Sequence, residues 1–129
     1  MKNKKMISKG SFFGSKKMSI TLIFVLEIML IFTFLDYLAH SISTSYAVPA
    51  SYFGSEIIYG TIFAFFAYLF VKSKKLTEKS FTFSAIMAVG IQLVYLSLGY
   101  PLSFVLTFLI INFALMFVVS YFWMKVKRM

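Results

Sequence analysis

The chain has no cysteine, one histidine, two prolines and only four acidic residues among its 129. Without cysteine there are no disulfides, no thiolate metal sites and no thiol nucleophile. A lone histidine excludes metal centres that need several imidazoles. Also missing is any motif that names a substrate or a reaction. Charge of one sign dominates what is left: thirteen Lys and Arg stand against the four acids, for a net charge of +9.

Apolar side chains are abundant. The sequence is 60% hydrophobic and 20% aromatic, with a mean hydropathy of +0.88, whereas soluble domains hold roughly 45–50% apolar residues. The basic residues fall in three clusters: Lys2, Lys4, Lys5, Lys9, Lys16 and Lys17; then Lys72, Lys74, Lys75 and Lys79; then Lys125, Lys127 and Arg128. Each cluster flanks an apolar stretch, which is the positive-inside pattern of membrane proteins. A nucleic-acid-binding protein would carry such charge on a folded polar surface, so no nucleic acid is expected as a partner.

The first apolar run, 18–39, has the roughly 20 residues that a helix needs to cross a bilayer. Glu27 and Asp36 interrupt it, which argues for a retained span and against a cleaved signal peptide. The uncharged, hydroxyl-rich stretch from Ser41 to Ala50 contains Pro49 and reads as a connection. A second helix is expected over 53–71, with Ser51 or Ser55 as its N-cap. No charge occurs between Ser80 and Met124, a length suited to two spans, 81–98 and 102–124, joined through Gly99-Tyr100-Pro101. The expectation is an all-α polytopic membrane protein, a four-transmembrane-helix bundle of two hairpins, N-in and C-in. Residues 1–17 form a basic cytoplasmic segment, 18–124 the membrane domain and 125–129 a basic cytoplasmic tail. Anionic lipids on the cytoplasmic face are expected partners of these basic segments.

Two groups of polar residues stand out. Counted from the expected helix ends, Glu27 lies about 14 Å deep, Gln92 about 16 Å and Asn112 about 15 Å. A carboxyl group near the membrane centre is costly and seeks a partner. Glu27, Gln92 and Asn112 are therefore expected to share one depth, as interhelical glue or as an ion or proton site. Asp36 and His40, spaced i, i+4, share one helical face at the outer boundary, with Glu56 at the same level. Carboxylate and imidazole are acceptable metal ligands, so Asp36, His40 and Glu56 form the one candidate metal set; a hydrogen bond settling the helix end is the simpler reading. Glu27 and Asp36 are nine positions apart, which puts them on opposite helical faces and makes the two groups separate sites.

Tyr37, Tyr46, Tyr52, Tyr59, Tyr95 and Tyr100 all fall toward the outer side, as an interfacial aromatic belt or the lining of an outward-opening pocket. Gly60-x-x-x-Ala64 and Ser84-x-x-x-Ala88 mark faces where helices approach closely. From these features the leading expectation is a non-enzymatic packing or accessory subunit, or a self-assembling bundle. The alternatives are a proton- or cation-coupled transporter or channel using Glu27, and a metal-dependent membrane enzyme at the outer interface. No cofactor is expected. A homo-oligomer or other membrane subunits are candidate partners.

Overall fold

The computed structural model describes residues 16–71 and 74–128; the expected basic segment before Lys16, together with Lys72, lies outside the described residues. Four helices account for nearly all of it: α1, Lys16–His40; α2, Ser51–Phe70; α3, Leu76–Ser97; and α4, Leu102–Lys127. Each is long and apolar enough to cross a membrane. No strand occurs among the described residues.

The connections explain where the helices stop. After α1, the Ser43 hydroxyl accepts from the Ser45 amide and caps a 3-10 turn, Thr44–Tyr46. The expected serine caps of α2 do not form: Ala50 is the N-cap, without a side-chain bond. The Pro49 and Ala50 carbonyls instead accept from the Tyr52 and Phe53 amides. Between α3 and α4, Gly99 adopts φ +85, a left-handed conformation that only glycine takes cheaply. Pro101 then starts α4 from extended geometry.

One boundary differs materially from the sequence expectation. α3 begins at Leu76, not Phe81, because the charged stretch preceding the apolar run is itself helical. Glu78 in its first turn suits the positive end of the helix dipole, so charge does not end the helix.

Contacts join α1 to α2, α2 to α3, α3 to α4, and α4 back to α1. The short connections make consecutive helices antiparallel. One end of the bundle, the basic end, gathers Lys74, Lys79, Lys125 and Arg128; the opposite, loop end carries the α1–α2 and α3–α4 connections.

The tightest pairing is α3 with α4. There the buried Ser84 and Ser120 hydroxyls lie 3.1 Å apart, and Ser80 donates to the Met124 sulfur at 3.6 Å. Small residues permit that approach. Ser84→Leu is expected to destabilise the bundle by about 1–3 kcal/mol through overpacking, measurable as equilibrium unfolding in mixed micelles.

The outward faces are as apolar as the interior: Ile23, Phe34, Phe70 and Ile110 all point away from the bundle. Such an arrangement suits a lipid solvent, in which apolar surface needs no hiding. Inside, Phe24, Ile28, Phe83 and Met116 fill the half toward the basic end. Tyr95, Phe104 and Phe108 fill the half toward the loop end. Against these layers sit Thr33, Asp36, His40, Glu56, Gln92 and Asn112, all buried.

Candidate functional site

His40 organises the loop-end half. The Ser43-capped turn carries the Tyr46 carbonyl back over α1, where it lies 2.6 Å from His40 Nδ1. A carbonyl only accepts, so Nδ1 holds the hydrogen. His40 Nε2 lies 2.9 Å from the Tyr95 hydroxyl on α3 and 3.5 Å from Asp36 Oδ1 on α1. In the neutral ring Nε2 therefore accepts from Tyr95. The imidazole stacks on Phe108 of α4, with centroids 4.1 Å apart and planes 7° apart. Tyr52 and Phe53 of α2 meet it edge-on. Every helix thus touches one ring.

Asp36 is fully buried, and Glu56 of α2 is only 7% exposed. The two carboxyl groups lie side by side, near the Thr33 hydroxyl. None of their four oxygens finds a donor in hydrogen-bonding geometry among the described residues. Two carboxylates cannot bond each other without a proton between them. At contact in a dry site they would also repel strongly.

Gln92 and Asn112 lie nearer the level of this pair than that of Glu27. Helices α1 and α3 run parallel, with α4 opposed, and His40, Tyr95 and Phe108 meet at one level. One turn toward the basic end from each lie Asp36, Gln92 and Asn112. All three are buried, and neither carboxamide has a hydrogen-bond partner among the described residues. The grouping of Glu27 with Gln92 and Asn112 expected from depth does not form. Glu27 Oε1 accepts instead from Trp123 Nε1 at 3.4 Å, about 16 Å along α4 from Asn112. Its other oxygen lies 3.8 Å from Lys127 Nζ, and its side chain is 32% exposed. The early start of α3 accounts for part of the discrepancy: Gln92 lies about 24 Å from the beginning of its helix, not 16 Å. Because the Glu27–Lys127 pair is partly exposed, Glu27→Gln is expected to cost less than about 1 kcal/mol, read from the same unfolding measurement.

Beside Glu56, α2 and α3 part to leave a cavity of about 700 Å³. Tyr52, Glu56, Tyr59 and Phe63 line it from α2, and Ile91 and Val94 from α3. Glycines bring the helices close below it: a Cβ on Gly60 would meet the Met29 methyl at 2.5 Å, and one on Gly90 the Phe63 ring at 2.5 Å. Gly60 of the expected small-residue pair thus faces α1, through Met29.

Asp36 comes close to both His40 and Glu56, yet no group of three or more His, Cys, Asp and Glu among the described residues is arranged to hold a metal. The reason is local: His40 Nδ1 is committed to Tyr46, and Nε2 faces the Tyr95 hydroxyl.

The tyrosines divide. Tyr37 and Tyr59 are exposed, at 53% and 70%, whereas Tyr95 is fully buried and no part of a surface belt. Its ring stacks on Tyr52 at 5.4 Å. Sequence reasoning left Tyr95, Phe108 and Thr33 out of the site. The signal for the first two was their spacing, i, i+3 from Gln92 to Tyr95 and i, i+4 from Phe108 to Asn112, which puts each on the face of an already suspect residue. Comparison with protein-family models, curated proteins and solved structures finds no match for this chain.

Proposed function

We propose that the chain is an integral membrane protein, with its basic end cytoplasmic, that binds and transports a small solute in a proton-linked manner. Its working centre is the Asp36–Glu56 pair. The observation that carries this reading is the buried Asp36–Glu56 pair, two adjacent carboxyls with no donor in hydrogen-bonding geometry among the described residues, near the level of two equally unpartnered carboxamides and with Glu56 lining a cavity. Polar groups retained only as interhelical glue pair with one another. Groups left without partners at a cavity are those that a proton, water or solute can satisfy. A single proton held between Asp36 and Glu56 removes their repulsion and gives each carboxyl a partner.

The cytoplasmic placement of the basic end rests on the three lysine-rich clusters. A packing subunit fits less well, because Asp36, Gln92 and Asn112 are buried inside the bundle and not on its outward face. Glu27, the earlier candidate for a coupled site, already has Lys127 and Trp123 as partners.

The test is infrared spectroscopy of the full chain in lipid as pH is varied. The wild type is expected to give a protonated-carboxyl carbonyl band that titrates, and the Asp36→Asn, Glu56→Gln double variant to lose it. A band that survives in the double variant, or is absent from the wild type at every pH where the protein stays folded, refutes the proposal.

A further inference from the structure

We infer that the cavity between α2 and α3 binds an organic cation with an apolar body, which enters sideways from the membrane. This deepens the proposed function, resting on Asp36–Glu56 as the working centre, and names the class of solute.

Three observations lead there. Glu56 lines the cavity, is only 7% exposed, and has no cationic partner among the described residues, its polar neighbours being Asp36 and the Thr33 hydroxyl. Among the described residues no Lys, Arg or His lines the cavity, whereas Tyr52, Tyr59 and Tyr100 do. The rim residues Tyr59, Phe63, Val94 and Leu98 are exposed on the outward side of the bundle, at 70%, 42%, 48% and 62%. The opening therefore faces sideways between α2 and α3, toward lipid.

Chemistry selects among occupants. An anion would meet Glu56 with Asp36 behind it. A neutral apolar molecule, a lipid chain included, would leave the one negative charge of the proton-sharing pair uncompensated in a dry site, at a cost. A bare metal cation needs about six or more oxygen ligands, and the cavity offers Glu56 and a few hydroxyls. An organic cation meets each requirement: its charge pairs with Glu56, its body fills apolar space, and tyrosine faces add cation–π attraction. About 700 Å³ falls within the range of sites for drug-sized molecules. Binding displaces the proton held between Asp36 and Glu56 to water, so one positive charge leaves as another enters and the net charge of the site is unchanged.

The test uses two probes of nearly the same shape and opposite charge, tetraphenylphosphonium and tetraphenylborate. Both are titrated against the full chain in phosphatidylcholine nanodiscs. The phosphonium is expected to bind saturably and the borate not at all. Glu56→Gln should weaken phosphonium binding about tenfold or more. Val94→Phe, which fills the cavity without touching a carboxyl, should weaken it too, while Glu27→Gln should not. Phosphonium that does not saturate, borate that binds equally well, or affinity unchanged in Glu56→Gln overturns the inference. Should Glu56→Gln fail to fold, the two probes on the wild type and Val94→Phe decide it. A titrating carboxyl band without phosphonium binding would remove the cation and leave the proton-linked centre standing.

Discussion

Replacing Phe108 by alanine should destabilise the bundle by about 3 kcal/mol, the low end for large-to-small aromatic substitutions. Phe108 is fully buried. Its ring stacks on His40 at 4.1 Å, lies 4.7 Å from Phe104 and takes the edge of Tyr46 at 5.2 Å. The loss is placed at the low end because the unfolded helices remain in lipid, so little solvent-transfer energy is forfeited and the packing contribution dominates. That contribution is large here, since one ring braces the imidazole, the 3-10 turn and α4 together. Equilibrium unfolding in mixed micelles measures it. A loss below about 1 kcal/mol would mean that the loop-end half can collapse around the missing ring and that the stack does not hold His40.

The second large effect has the opposite sign. Asp36→Asn combined with Glu56→Gln is expected to stabilise the protein by about 2–3 kcal/mol, since a buried polar group without a hydrogen bond costs about 1–3 kcal/mol. Both changes preserve volume, so overpacking does not obscure the result. A carboxamide donates where a carboxylate cannot, so the two new side chains can bond each other. The variant should at the same time lose the titrating carboxyl band and its affinity for the cation. Groups kept for stability alone predict the reverse, because removing one partner from a buried polar network costs several kcal/mol. Stability that falls by about 2 kcal/mol or more would favour such a role.

Much of the fold was legible from composition. Four apolar stretches, Pro49 and Gly99-Tyr100-Pro101 locate four helices and their connections, and their lengths leave little freedom. The candidate polar residues were legible too, because a carboxyl or carboxamide in an apolar run stands out. Their grouping was not. Depth was counted from the point where each apolar run begins, but α3 starts five residues earlier, at Leu76. Such an offset moves Gln92 by about 7.5 Å along the axis, roughly half of the distance of about 13.5 Å from the level of Glu27 to that of Asp36; the rest comes from how the helices are staggered, which no single segment encodes. The cavity was equally invisible, since it depends on how far α2 stands from α3, and no local pattern encodes that distance.

By itself, then, the sequence determined the number of helices long and apolar enough to cross a membrane, the segregation of basic charge and the short set of polar residues within those helices. Apolar length and charge are properties of a segment, and a membrane selects on them directly. Tertiary structure alone decided that Asp36 faces Glu56, that Gln92 and Asn112 lie at their level, that His40 is held by Tyr46, Tyr95 and Phe108, and that Glu27 pairs with Lys127 near the basic end. Each residue along a helix advances about 1.5 Å and turns by roughly 100°. Which side chains meet therefore follows from axial register and rotation, and contacts between helices set both: the His40–Phe108 stack and the Ser84–Ser120 approach.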